Sequence, residues 1–196
     1  VPLENYKKYC FECSFRDVQG YIKFKFEKQD GILPRSKITF YTSDDLTNWD
    51  AIGSPRTTGE IINLNSNTSF LEIGGHSDGQ SFGNTFLDAV IKEVFISTSN
   101  KNGKIAFKEE NLNEEYYVFK PSESNQYNSK ITYENEGIKL FAPNKYWLAV
   151  PNEYEFNDDF EIILNLSLPE IPWERQTLIS NTSIFNNQTQ SWKIEI

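Results

Sequence analysis

Apolar and polar residues alternate one by one along most of this chain. In Tyr21-Ile22-Lys23-Phe24-Lys25-Phe26 and again in Ser191-Trp192-Lys193-Ile194-Glu195-Ile196, every second side chain is apolar, the period of a strand with one face on a core. The pattern predicts strands over 9–15, 21–27, 37–42, 60–64, 69–73, 86–97, 104–107, 115–119, 130–133, 138–141, 146–150, 159–168, 175–180 and 191–196. Short strands separated by Gly, Asn, Asp and Pro clusters predict an all-β fold, an antiparallel β-sandwich. Residues 111–116 could form one short turn of helix. Residues 85–93 also fit a helical spacing through Phe86, Leu87, Val90 and Ile91, but the β-branched run from Val90 to Ile96 favours a strand. Gln29-Asp30-Gly31, Asn102-Gly103 and Asn135-Glu136-Gly137 are expected hairpin corners.

Composition narrows this picture. The 15 Phe, 10 Tyr and 4 Trp suit pleated sheets. A formal charge of −9 excludes a nucleic-acid partner, which needs clustered Lys and Arg. The Lys residues in Ile22-Lys23-Phe24-Lys25-Phe26 read instead as the wet face of a strand. No apolar run reaches the roughly 20 residues of a membrane span, so no membrane partner is expected. There is no Met and the chain opens on Val1, which reads as part of a longer polypeptide. Cys10 and Cys13 have Cys-x-x-Cys spacing, but His76 is the single histidine and cannot complete a zinc site. In an alternating strand their side chains point to opposite faces, as two unpaired structural thiols.

The residues also resemble a family. Trp147 to Ile196, with Val150-Pro151, the acidic turn Asn157-Asp158-Asp159, the run from Phe160 to Leu168, Trp173…Leu178-Ile179-Ser180 and Ser191-Trp192-Lys193-Ile194, is similar to the opening of a concanavalin A-like or laminin G-like lectin domain. In that family the next strand resembles Gly20 to Phe26, followed by Lys37 to Asp45, Asn48-Trp49, Ile52-Gly53, Leu71-Glu72-Ile73-Gly74-Gly75 and Val90 to Ile96. These segments stand at the other end of this chain. The resemblance therefore implies a concanavalin A-like jelly roll whose halves are permuted or split across two domains. Residues 1–108 form the closing half, 109–130 a polar connector carrying Pro121 to Gln126, and 131–196 the opening half. Such domains occur in bacterial surface proteins and tailed-phage structural proteins, which implies an extracellular or virion-surface location. Thr42-Ser43-Asp44-Asp45-Leu46-Thr47-Asn48-Trp49 further resembles the aspartate box of sialidases, in which turn amides bond an Asp or Ser side chain above a packed Trp; Leu46 takes the place of the usual Gly.

Candidate chemistry is sparse. A retaining glycosidase on a sandwich needs two carboxylates roughly 5 Å apart, and no strand carries an alternating run of carboxylates suited to that. Glu153 with Glu155 and the Asp158-Asp159 turn read as solvated edges. His76 sits in the Gly-rich loop Gly74-Gly75-His76-Ser77-Asp78-Gly79-Gln80, with no apolar flank to hold an orienting carboxylate for a Ser-His-Asp triad. The same loop, through His76, Asp78, Gln80 and Asn84, is the best candidate for recognition. Trp173, in the loop Pro169-Glu170-Ile171-Pro172-Trp173-Glu174, and Trp147 are candidate sugar-stacking residues, whereas Trp49 and Trp192 read as packing residues. Calcium is the one cofactor with hard oxygen ligands to offer it, at Asp78, Asn84, Asp158 and Asp159. The expectation is a non-enzymatic module that binds a cell-surface glycan. The alternative is a structural module docking other subunits in an oligomer, as in a phage tail or capsid, and a divergent glycoside hydrolase comes last.

Overall fold

The computed structural model describes residues 8–14, 19–62, 64, 70–75, 85–119, 132–142, 146–170, 174–181 and 191–196. These form two sheets of six and nine strands, antiparallel in all but one pairing, and hold no α-helix. The strands are β1 (Lys8–Glu12), β2 (Gln19–Gln29), β3 (Arg35–Ser43), β4 (Asp50–Ala51), β5 (Arg56–Thr57), β6 (Phe70–Ile73), β7 (Ala89–Ser97), β8 (Asn102–Ala106), β9 (Tyr117–Phe119), β10 (Thr132–Glu134), β11 (Gly137–Leu140), β12 (Trp147–Pro151), β13 (Phe160–Ser167), β14 (Thr177–Asn181) and β15 (Ser191–Glu195). A 3-10 turn, Glu109–Asn111, precedes β9.

The six-stranded sheet runs β1-β15-β14-β6-β12-β9, and the larger runs β10-β11-β7-β13-β2-β3-β4 with β5 on β3 and β8 on β7. Strands from the two ends of the chain are interleaved in both. β13 lies between β2 and β7, and β6 between β14 and β12. The strand next to β2 is thus β13, with Phe160 opposite Phe26 and Leu164 opposite Ile22. The family order would place there a strand like 191–196, but β15 pairs with β14 and, in parallel, with β1. The reason is visible in the side chains. β13 buries Phe160, Ile162, Leu164 and Leu166 on one face, matching Ile22, Phe24 and Phe26 of β2 rung for rung.

The sheets close on an aromatic core. Phe11 of β1 meets Phe24 of β2 at 5.3 Å between ring centroids, Phe26 stacks on Phe160 at 5.1 Å, and Phe156 bridges Phe160 (4.8 Å) to Trp192 (5.3 Å). On the outer face of β2 and β3, Lys25 and Lys37 reach Glu27 at 3.1 and 3.2 Å, and Lys23 lies 4.0 Å over the Trp49 ring. These lysines form a wet strand face, as the alternation predicts.

Two local readings change. Residues 60–62 and 64 are not a strand: Ile62 and Leu64 are buried core anchors in an irregular connection, tied down where the Ile62 amide donates to Ser36 Oγ at 2.9 Å. The β7–β8 corner falls at 98–101, where the Thr98 amide donates to the Lys101 carbonyl. Gly103 is already in β8, and its missing side chain makes room for the Tyr154 hydroxyl. The corner before β11 forms as expected, turning on Asn135 and Glu136, both at positive φ.

The aspartate-box-like turn forms as expected. Asp45 Oδ1 accepts the amides of Thr47 and Asn48 at 2.9 Å, Ser43 Oγ accepts those of Asp45 and Leu46, and the Trp49 indole donates to the Leu46 carbonyl. Bonds from Asn48 and Thr47 hold the Asp45 carboxyl far below the usual range. Leu46 adopts φ 65°, the conformation that favours Gly. Gly74, at φ 78°, has the Leu140 side chain where a Cβ would project. Gly74→Ala is expected to lower stability by roughly 2–3 kcal/mol through left-handed strain and overpacking, read from the urea unfolding midpoint.

Candidate functional site

The outer face of the six-stranded sheet is unusual for a surface, because most of its described side chains are buried. Strand register builds it. Ala149 of β12 faces Tyr117 of β9 on one side and Glu72 of β6 on the other; Ser180 of β14 follows, then Lys193 of β15, then Cys10 of β1. Since Leu148, Val150, Leu71, Ile73, Trp192 and Ile194 occupy the core, strand alternation sends these neighbours outward. Yet Glu72, Ser180 and Lys193 in this row, and Thr177 and Glu195 in the next, are all less than a tenth exposed.

The polar half centres on Glu195. Its Oε1 accepts from Lys193 Nζ at 2.5 Å and from Thr85 Oγ1 at 3.0 Å, while Oε2 accepts from Cys10 Sγ at 3.0 Å. Thr85 and Thr177 hydroxyls lie 2.6 Å apart. Burial pushes the Glu195 carboxyl up, but the bonds from Lys193 and Cys10, with the Lys193 charge, more than offset it and leave it below the usual glutamate range. Cys10 is pushed up to about 12 by burial and by its bond to Glu195, so it remains a thiol. Cys13, packed against the core on the other side of the sheet, is also pushed up to about 12 by burial. Both cysteines are free, as their spacing on an alternating strand predicts.

Glu12, opposite Glu195 in the parallel β1–β15 ladder, completes a group with Cys10 in which one ligand atom from each residue lies within 4.8 Å of the others. The run-based expectation of no carboxylate pair missed it, because its members lie on neighbouring strands from opposite ends of the chain. Each carboxylate already holds a cation: Arg175 Nη1 is 2.8 Å from Glu12, and Lys193 sits on Glu195. A general acid needs a raised carboxyl, and Glu195 is moved the other way. Burial does push Asp88 up, but its charged neighbours are Lys139 and Glu170, not this pair.

The other half of the face is aromatic. Trp147 of β12 is buried beneath Phe119 of β9, with rings stacked at 6.1 Å and 19°. Phe86 packs against Trp147 at 6.2 Å, and Phe70 meets both Tyr117 (5.7 Å) and Phe119 (6.0 Å) edge-on. Phe119 is 41% exposed; Phe70 and Tyr117 are half-buried.

Of the sequence candidates, Trp147 thus lies on this face as the buried layer of a stack. His76, Asp78, Gln80, Asn84 and Trp173 lie outside the described residues. Asp158 and Asp159 are exposed, and Asp159 Oδ1 accepts the Lys28 amide at 2.7 Å. Sequence reasoning missed Phe119 as a site residue, although Tyr117-Val118-Phe119 carries the signal: two rings at strand spacing interrupting a polar connector. It missed Glu195 because an alternating Lys193-x-Glu195 reads as solvated. No helix among the described residues is long and apolar enough to cross a membrane. No family model matches the chain, and comparison with curated proteins and with solved structures gave no significant match.

Proposed function

We propose that this chain is a non-catalytic recognition module, a concanavalin A-like jelly roll exposed on a cell or virion surface, which holds a glycan against the outer face of its six-stranded sheet. The observation that carries this reading is the Phe119–Trp147 stack, with Phe70 and Tyr117 around it, next to a row of fixed polar groups. A sugar ring offers an apolar CH face to an aromatic plane, and the exposed Phe119 ring, backed by Trp147, offers such a plane. Among the described residues of this face, Glu195 is engaged by Lys193, Thr85 and Cys10 and Glu12 by Arg175, which suits a rigid binding face.

The test is a glycan array followed by titration of the best ligand, monitored by tryptophan fluorescence. Phe119→Ala is expected to weaken binding by about tenfold or more, since a stacked ring contributes on the order of 1 kcal/mol beyond its area, with the unfolding midpoint little changed. An array without a ligand, or unchanged affinity after Phe119→Ala, would overturn the assignment. The double variant Trp173→Ala with Asp78→Ala separates this face from the loop sites expected from sequence. The second reading, an assembly module without ligand, is favoured by the apolar tip of the β2–β3 hairpin, where Ile32 and Leu33 are exposed.

A further inference from the structure

Building on the glycan reading, we propose that the Trp147 indole N–H is the hydrogen-bond donor of this face and that its ligand is a neutral pyranose chain with equatorial hydroxyls. The tryptophans differ in what their N–H groups do. Trp49 donates to the Leu46 carbonyl at 3.1 Å and Trp192 to the Leu64 carbonyl at 3.0 Å. Trp147 is 8% exposed, and its N–H has no acceptor among the described residues. An indole can only donate. A donor held in so nearly buried a ring is completed by an acceptor that arrives from outside.

Register puts this donor in the stacking patch. Trp147 stands opposite Phe119 of β9, and alternation turns both rings to the outer side of the sheet, away from the buried Leu148 and Val150. Phe119 stacks on Trp147 with ring centroids 6.1 Å apart, and Phe70 meets it edge-on. The Tyr117 hydroxyl, two residues back along β9, also has no partner among the described residues. One aromatic plane, one N–H and one hydroxyl thus lie side by side.

Charge and exposure set the ligand class. β6, β9 and β12 carry no Lys or Arg, and Glu72 is their one charged residue. Lys193, on β15, is three strands from β12, roughly 14 Å at strand spacing, and is bonded to Glu195. A carboxylated or sulfated sugar stacked on Phe119 would give up water and meet no counter-charge. Glu72, Ser180 and Lys193 are less than a tenth exposed, so the row beside the stack does not read hydroxyls one by one. A pyranose with equatorial hydroxyls shows axial C–H bonds on both faces and keeps its oxygens at the rim, where one accepts from Trp147. An axial hydroxyl would instead be pressed onto Phe119 with nothing to replace its water. Since β9 is the last strand of its sheet, no described strand walls off the ring beyond Phe119, and internal units of a chain fit as well as its end.

Three matched probes test the class: cellohexaose, with every hydroxyl equatorial; mannohexaose, with one axial hydroxyl per ring; and a glucuronan hexamer, with one carboxylate per ring. Cellohexaose should bind, and the other two at least about tenfold more weakly, as an unpaired polar group costs. Nuclear magnetic resonance of isotope-labelled protein tests the donor. The Trp147 indole proton, assigned through its contacts with the Phe119 ring, should shift and exchange more slowly with water when cellohexaose binds, while those of Trp49 and Trp192 stay in place. Trp147→Phe keeps a ring beneath Phe119 and should bind about five- to tenfold more weakly, the worth of one hydrogen bond. Circular dichroism melts check that it folds, and the wild-type indole shift decides the matter if it does not. An unmoved Trp147 proton in the complex, or full affinity in Trp147→Phe, overturns the donor. Tighter binding of either of the other hexamers, or no binding of cellohexaose, overturns the ligand class. If an array ligand is still lost in Phe119→Ala, the glycan reading survives either failure; if no array ligand exists, both fall together.

Discussion

Replacing Trp192 by Ala should lower the stability of this protein by about 3–5 kcal/mol, the cost of deleting a large aromatic from a packed core. Trp192 is fully buried on β15 and closes the ring cluster with Phe156 at 5.3 Å and Phe160 at 6.3 Å. Those rings in turn hold Phe24 and Phe26 of β2, so the cavity opens where the two sheets meet. For a domain this size the loss corresponds to a fall in melting temperature of roughly 6–20 °C. Trp192→Phe separates the two contributions. It keeps most of the ring packing but removes the indole N–H that donates to the Leu64 carbonyl at 3.0 Å. A buried carbonyl left without its donor costs about 1–3 kcal/mol. Urea unfolding of both variants should give two midpoints below wild type, with Ala the lower. Equal midpoints for Phe and wild type would mean that the Leu64 bond contributes nothing.

Lys193→Met should have an effect of the same size for a different reason. The Lys193–Glu195 pair is nearly inaccessible, with side chains 5% and 2% exposed. Removing one partner of a buried pair strands the other charge, which typically costs about 3–5 kcal/mol. The double variant Lys193→Met with Glu195→Gln should recover part of the loss, because neither member of the pair is then left as a stranded buried charge.

The pH dependence identifies the cause. In the wild type burial raises the Glu195 carboxyl, the Lys193 and Cys10 bonds with the Lys193 charge outweigh it, and the net shift is downward from 4.5. The stability this confers is complete above 4.5 and disappears as pH falls through the lower folded value. Without the ammonium, burial prevails and the carboxyl should rise above 4.5. Lys193→Met should then be most stable in acid and lose stability as pH rises through that raised value. The gap from wild type should therefore narrow steadily as pH falls, being wider near about pH 7 than near about pH 4. A gap independent of pH would assign the effect to packing alone.

Much of this architecture is legible as periodicity. Ile22, Phe24 and Phe26 alternate with Lys23, Lys25 and Glu27 because one strand face must be dry and the other wet, and the structure places each set accordingly. The same rule misreads 60–64. Ile62 and Leu64 alternate, but an irregular segment can anchor two side chains in a core without ladder bonds of its own. It also misreads the face that carries the candidate site. Lys193, Glu195 and Glu72 hold outward positions, and alternation assigns them to water, whereas in the folded chain they are buried and bonded. Phe119 was visible only as an aromatic in a connector; its pairing opposite Trp147 makes it the exposed layer of a stack.

What the chain determined by itself is local: where strands run, which side chains face inward, and how the Ser43–Trp49 turn bonds its own amides. These follow from stereochemistry within a few residues. Which strand neighbours which was decided only by the tertiary structure. Ladder hydrogen bonds are alike for every residue, so partner choice rests on side-chain packing summed across whole sheet faces. That sum put β13 beside β2, set β1 parallel to β15, and brought Glu12 and Glu195 together from opposite ends of the chain.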